Sequence, residues 1–414
     1  MSTSSAVAQK FDVAKVRADF PILSEIVHGK PLVYLDSANT SQKPLAVIKA
    51  TDDYYRHANA NIHRATHLLS ERATALYEGA RQKAARFLNA ADAHTIVLTK
   101  GTTDGINLVA QSYGRSVLKP GDEILLSWLE HHSNIVPWQL IAEQTGAVIT
   151  VVSINEIGEI DQDEYARLLT SRTKIVAVGH VSNALGTINP IKRMIAQAHA
   201  AGAVVLVDGA QAAPHLAIDV QDLDCDFYVL SSHKMFGPTG TGVLYGRKGL
   251  LEAMPPYQGG GDMIANVTFE KTLYNQIPYK FEAGTPNIAG VAGFGAAIDY
   301  LSAIDRQAAL VHEDDVLAYA TARVREISGT RIIGEARHKT GVLSFLIEGV
   351  HPHDAGTILD QQGIAVRTGQ HCAQPVMDKF RIPATIRASL GIYNTREDID
   401  ALVRGLIKVK EVFA

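Results

Sequence analysis

From about Lys30 onward, short apolar runs alternate with longer stretches patterned like helices, and this rhythm constrains the fold more than any single motif. The runs fall at 32–35, 95–99, 123–127, 147–152, 174–178, 204–207 and 226–230. They are continuous and rich in Val, Ile and Leu, as strands are when both faces of a sheet are covered. The stretches between them, among them 70–88, 104–113, 137–144, 163–170 and 191–200, carry Ala, Leu, Gln and Arg at helix-like spacing. Strands that recur with crossover helices predict an α/β protein built on a mostly parallel sheet.

Residues 237–261, rich in Gly and Pro, break the rhythm. Helices are expected near 290–302 and 306–327. The pattern then changes: 342–347 alternates like a half-buried strand, 353–362 reads as a helix, 364–366 as a short strand and 396–412 as a terminal helix. The expected organisation is therefore an N-terminal arm (1–29) packed on the small domain, a large domain (30–300) and a smaller α+β domain (301–414). Within the arm, 1–9 reads as loose, and a short helix over 11–20 stops at Pro21. At 414 residues two or three domains are the ordinary expectation, and a hydrophobic share of 46% is enough for a sizeable core.

Several classes of function are disfavoured. The net charge is -4 and no long basic run occurs, so no nucleic-acid partner is expected. No apolar run approaches the roughly 20 residues that span a bilayer, and the first ten residues lack the basic start and apolar stretch of a signal peptide. Two cysteines, Cys225 and Cys372, cannot form a disulfide framework and suit a cytoplasmic protein with reduced thiols. His63 and His67 stand four apart without an H-E-x-x-H arrangement, so no metal site is expected.

In open α/β sheets ligands bind beyond the carboxyl ends of the strands. After 95–99 comes Lys100-Gly101-Thr102-Thr103-Asp104, which opens a helix; free N–H groups and hydroxyls there suit a phosphate, although a plain N-cap would look the same. Asp208 follows 204–207, where it could hold the protonated nitrogen of a pyridine cofactor or simply cap a turn. After 226–230 comes Ser231-Ser232-His233-Lys234. A desolvated lysine loses pKa, and its neutral amine forms Schiff bases; the alternative is a lysine snorkelling to the surface. Asn183 and His131 stand after two more strands, an amide and a flat imidazole that can stack on a cofactor. Each signal is weak alone. Their shared placement at one sheet edge carries the weight.

The C-terminal part adds Arg367-Thr368-Gly369-Gln370-His371-Cys372. An ordinary thiol is only a few per cent thiolate at neutral pH, and nearby cations raise that share. Cys372 has Arg367 and His371 close in sequence, whereas Cys225 lies between Asp224 and Asp226 and reads as structural. Arg387 could clamp a carboxylate with its planar fork, or form an ordinary ion pair.

These segments resemble the fold-type I pyridoxal-phosphate (PLP) enzymes, in their class-V aminotransferase branch. The closest resemblance is to the group II cysteine desulfurases of the Suf pathway (SufS-type), which in turn are similar to selenocysteine lyases. It covers nearly the whole chain, and its most specific segments are Gly101-Thr102-Thr103, Glu130-His131-His132, Asp208-Gly209-Ala210-Gln211, Ser232-His233-Lys234, Phe281-Glu282-Ala283-Gly284-Thr285-Pro286 and Arg367 to Cys372.

The resemblance implies roles position by position. Lys234 forms the Schiff base with PLP, Asp208 pairs with the ring nitrogen, and Gln211 and Asn183 address the ring oxygen. His131 stacks on the ring and is a candidate proton donor. Thr102, Thr103, Ser231 and His233 hold the phosphate, and Thr285 reaches the phosphate of a partner subunit, which implies a homodimer. Arg387 and Asn183 bind the substrate carboxylate, while Arg367 and His63 line the approach to Cys372. The implied reaction converts L-cysteine to L-alanine with a persulfide on Cys372, passed to an acceptor of the SufE or SufU type for iron–sulfur cluster assembly. The short stretch before Pro375 fits such docked delivery. Selenocysteine lyase (acting on L-selenocysteine), another class-V transferase and a non-enzymatic sulfur-relay subunit remain alternatives. Two positions depart from the family pattern: Asn39 stands where a small residue is usual, and Asp104 where Glu is expected.

Overall fold

Seven strands form the main sheet: β1 (Ile96–Thr99), β2 (Glu123–Ser127), β3 (Val148–Val152), β4 (Thr173–Gly179), β5 (Val204–Asp208), β6 (Phe227–Ser231) and β7 (Gly242–Gly246). Their order across the sheet is β1-β7-β6-β5-β4-β2-β3. The run from β6 to β3 is parallel throughout, and β7 lies antiparallel between β6 and β1. The computed structural model describes residues 11–413, so the loose arm expected over 1–9 lies outside the described residues.

The sheet is covered on both faces. Along β2, Leu125 enters one core with Val176, Val205 and Leu230, while Ile124 and Leu126 enter the other with Ile175, Leu206 and Val229. This double burial is why the strand sequences read as unbroken apolar runs. β7 escapes that pattern because its five residues begin and end in glycine within the Gly/Pro-rich stretch. Gly242 permits the close pairing there: a Cβ would come within 2.5 Å of Gly101 Cα.

A second sheet comprises β8 (Thr330–Ile333), β9 (Val342–Ile347), β10 (Arg367–Gly369) and β11 (Thr385–Ser389), antiparallel in the order β8-β9-β11-β10. Its core joins Leu343, Phe345 and Ile386 to Val316 and Leu402 of the helices Arg306–Arg325 and Arg396–Phe413.

One strand departs from expectation. The run at 32–35 does not enter the main sheet: only Val33–Tyr34 is a strand, paired in parallel with Ile364–Ala365. Val33 and Leu35 bury in the second core. A short apolar run suits either core, and only its long-range partners distinguish them. Asp36 then bridges in parallel to Ser389, the last residue of β11.

The described part of the N-terminal segment docks on residues from both halves. Arg17 donates to Tyr393 O at 2.8 Å and to Asp398 at 2.9 Å, and Phe20 packs edge-on against Phe236, Tyr300 and Tyr393. Among the described residues no single helix is long and apolar enough to cross a membrane.

Candidate active site

Because β2, β4, β5 and β6 run parallel, and β1 is aligned with them through the antiparallel β7, five strand ends meet at one edge. The segments after these ends, together with the loop after β10, line one shared cavity. Eleven expected site residues line it: Thr102, Thr103, His131, Asn183, Asp208, Gln211, Ser231, His233, Lys234, Arg367 and Cys372.

At the β1 end the helix Thr102–Val109 begins two residues earlier than its pattern suggests, with Gly101 as N-cap at φ +147. Few side chains tolerate that backbone. It turns Thr102 inward, where its N–H donates to Ser231 Oγ at 2.8 Å and its Oγ1 accepts from the same hydroxyl at 2.8 Å. Thr103 Oγ1 lies 2.8 Å from Ser133 Oγ. The helix N-terminus and these hydroxyls form a cradle with the chemistry of an anion site.

His131 is oriented by Ser133, whose main-chain N–H donates to Nδ1 at 3.0 Å. Nδ1 is therefore an acceptor, and the proton of the neutral ring sits on Nε2. Burial, then the nearby Lys234 and His132, pulls its pKa down to about 3, so the ring stays neutral at ordinary pH. Glu130, beside it, is buried and accepts from Ser127 Oγ and, at 2.7 Å, from Asn134 Nδ2. Burial pushes its carboxyl up to about 7 despite these bonds.

Asp208 ends β5 at 8% exposure, with Oδ1 accepting the Ala210 N–H at 2.9 Å. Burial raises its pKa. Lys234 ends the 3-10 turn Ser232–Lys234 that follows β6. That turn is pinned from outside: the His233 carbonyl accepts from Ser41 N and Oγ at 3.0 Å, Thr40 Oγ1 at 3.1 Å and Lys43 Nζ at 2.9 Å. Lys234 Nζ lies a long 3.5 Å from Gln211 Oε1. Desolvation lowers its amine to about 8, with Asp208 opposing and Arg387 and Arg367 assisting the drop.

Cys372 arrives from the second sheet. His371 and Cys372 both occupy the left-handed region, at φ +55 and +54, which non-glycine residues rarely adopt. Three contacts hold this turn: Asn183 Nδ2 to His371 O at 2.7 Å, His132 N to Cys372 O at 2.8 Å and Gln374 N to His132 Nε2 at 3.1 Å. Arg367 Nη2 lies 3.3 Å from Cys372 Sγ. His371 points away from the cavity and is buried, with Nε2 2.7 Å from Thr385 Oγ1 and its pKa pulled down to about 2 by burial.

Three expected residues lie elsewhere. Arg387 on β11 has a fully buried side chain behind the cavity wall. Its Nη2 meets Asp36 Oδ1 at 3.0 Å and its Nη1 donates to Asn183 O at 3.0 Å, leaving Nε without a partner. His63 lines a separate cavity, held by Glu78 at 2.9 Å. Thr285 sits between Gly284 and Pro286, which line that same second cavity. The loop carrying it is tied down by Glu282, which pairs with the buried Arg81 at 2.5 Å and accepts the Leu98 N–H at 2.8 Å. Sequence reasoning assigned no role to Asp36, Glu130 or Ser133. Asp36 carried the same signal as Asp208, an acid directly after an apolar run. Glu130 and Ser133 flank the histidine that was singled out.

Residues 33–402 match the family model described as Aminotransferase class-V. The chain belongs to the class-V aminotransferase family. This class-V chain is 52% identical over 406 residues to a cysteine desulfurase of Synechococcus elongatus, covering 98% of the chain but only 65% of that longer protein. It is 50% identical over 402 residues to a cysteine desulfurase of Dickeya dadantii, covering 97% of each. The crystal structure of the cysteine desulfurase CsdA from Escherichia coli superposes with a TM-score of 0.92 at 44% identity, covering 98% of this chain and all of that one. The α/β fold expected from the strand rhythm, and the class-V family implied by the resemblance, are therefore those observed.

Proposed function

We propose that the chain is a PLP-dependent cysteine desulfurase that releases L-alanine from L-cysteine and retains the sulfur as a persulfide on Cys372. One observation carries the reading: the lowered amine of Lys234 and the thiol of Cys372, from different sheets, open into the same cavity. Relatives about half identical over nearly the whole chain support it.

The cavity fits the cofactor on its own chemistry. Thr102, Thr103, Ser231 and His233 form a cradle suited to the phosphate, Asp208 is a buried acid suited to a ring nitrogen, and His131 is a flat neutral ring suited to stacking. When bound, PLP supplies an aldehyde for the amine and an electron-withdrawing ring that acidifies the substrate Cα proton. Lys234 then serves as the base at Cα, and its lowered pKa lets it accept and return a proton near neutral pH. Cys372, as thiolate, attacks the substrate sulfur. The S–S bond forms as the carbon–sulfur bond breaks, and the electron pair stays with the three-carbon fragment, which leaves as alanine once protonated. The ammonium that Lys234 becomes on taking the Cα proton is the donor that returns it, and His131, neutral in this cavity, serves as a stacking and hydrogen-bonding ring rather than as the acid. Asn183 receives the substrate carboxylate, with the Arg387 charge directly behind it.

The Cys372→Ala variant tests this reading. It is expected to take up cofactor yet release no alanine from cysteine, while wild-type Cys372 gains the mass of one sulfur. Normal turnover by the variant would show that the nucleophile is misassigned.

We further infer a homodimer. Leu45, Ile48 and Tyr55 form an exposed apolar stripe on helix Leu45–His57, with Leu68, Leu69 and Leu76 exposed on the following helix. The second cavity, with His63 and the Thr285 loop, then serves the partner's site. A SufE- or SufU-type acceptor takes the sulfur from Cys372, which is partly exposed at the mouth; added acceptor should raise turnover, and indifference of the rate would refute this. The two unpaired thiols suit a cytoplasmic setting, which a periplasmic or secreted location of the cellular enzyme would contradict.

A further inference from the structure

Asn39 has no role in the account above. Asn39 stands exposed on the rim of the cavity. Its Oδ1 accepts from Arg367 Nη1 at 2.8 Å, and its Nδ2 donates to Asp36 Oδ2 at 3.1 Å. The other nitrogen of the same guanidinium, Nη2, lies 3.3 Å from Cys372 Sγ. The other oxygen of Asp36 meets Arg387 Nη2 at 3.0 Å. One amide thus connects a cation on its acceptor side with an anion on its donor side.

Its position answers an electrostatic difficulty. Arg367 and Arg387 are directly paired across β10 and β11, so two like charges rise from one register position. Arg387 is neutralised by Asp36. Arg367 forms no salt bridge among the described residues, and its long side chain has rotameric freedom to lose. Two bonds to the two ends of its fork fix the plane of the guanidinium. Alanine at 39 would supply neither the acceptor nor the donor.

We propose that Asn39 is a positioning residue that holds Arg367 against the Cys372 thiol. The inference deepens the desulfurase reading and rests on it in taking Cys372 as the nucleophile. The network extends from Cys372 through Arg367, Asn39 and Asp36 to Arg387, so the thiol and the arginine behind Asn183 share one scaffold.

The test is alkylation of Cys372 by iodoacetamide in cofactor-loaded protein at neutral pH, followed by peptide mass spectrometry. Cys225, at 1% exposure, is an internal unreactive control. Wild type, Asn39→Ala, Arg367→Ala and the double variant are compared. Asn39→Ala is expected to slow alkylation by a factor of about two to ten, the span of one ordinary hydrogen bond. The double variant is expected to react no more slowly than Arg367→Ala, because Asn39 acts through Arg367. In turnover, kcat should fall in the same proportion as alkylation while KM changes little. Wild-type alkylation by Asn39→Ala, or multiplying effects in the double variant, would overturn the proposal. Alanine release by Cys372→Ala would instead sink the desulfurase reading and leave the alkylation comparison standing.

Discussion

If Lys234 is the lysine that captures an aldehyde, its desolvation makes a measurable demand. The amine falls from its ordinary 10.5 to about 8. At pH 7 an ordinary lysine is neutral in about one molecule in three thousand, whereas a lysine at 8 is neutral in about one in eleven. The corresponding free energy is about 3 kcal/mol, at roughly 1.4 kcal/mol for each tenfold step. Stripped of cofactor, the protein should capture added pyridoxal phosphate at a rate that rises with pH and levels off around a midpoint near 8. Borohydride reduction followed by peptide mapping should place the label on Lys234. Asp208 favours the ammonium form, so Asp208→Asn should move the midpoint lower. The same desolvation sets a stability sign. The folded pKa lies below the unfolded one, so the buried ammonium costs the fold stability below pH 8, and the cost fades as pH rises from 8 to 10.5. Cofactor-free Lys234→Met should therefore be more stable than cofactor-free wild type at neutral pH, by up to about 3 kcal/mol, with the gain shrinking toward pH 10.5. A capture midpoint near 10, or a label on another lysine, would refute the reasoning.

Two further tests address the supports of the site. Glu130 is an acid raised in the fold from 4.5 to about 7, so its ionisation penalises the folded state progressively between those values and fully above 7. Glu130→Gln should therefore melt close to wild type at pH 5 and above it at pH 8; a variant that loses more stability at pH 8 than at pH 5 would show that the folded protein relies on the carboxylate. For the dimer, Ile48→Arg combined with Tyr55→Arg places charge on the exposed stripe of helix Leu45–His57 and should yield a monomer with reduced turnover by sedimentation and assay. Wild-type protein that already sediments as a monomer would rule the dimer out.

Much of the site was legible because its residues follow strands that announce themselves locally. Thr102, His131, Asn183, Asp208 and Lys234 each stand just after an unbroken apolar run, and a parallel sheet necessarily gathers such positions at one edge. That inference needs only short-range periodicity and the rule that βαβ units point their strands one way. Pairing between distant segments has no such local trace. β7 was hidden by its flanking glycines, and the run at 32–35 could not show that it belongs with Ile364–Ala365 rather than with the main sheet. The same holds for charge: a sequence shows that Arg387 has a fork, but not that Asp36 already occupies part of it. Nor does it show that His63 opens into a second cavity, or that His371 and Cys372 are held left-handed by Asn183 and His132. Local periodicity is enough to say which groups stand at the sheet edge. Tertiary packing decides which of them face one another, because those distances depend on how the two sheets meet.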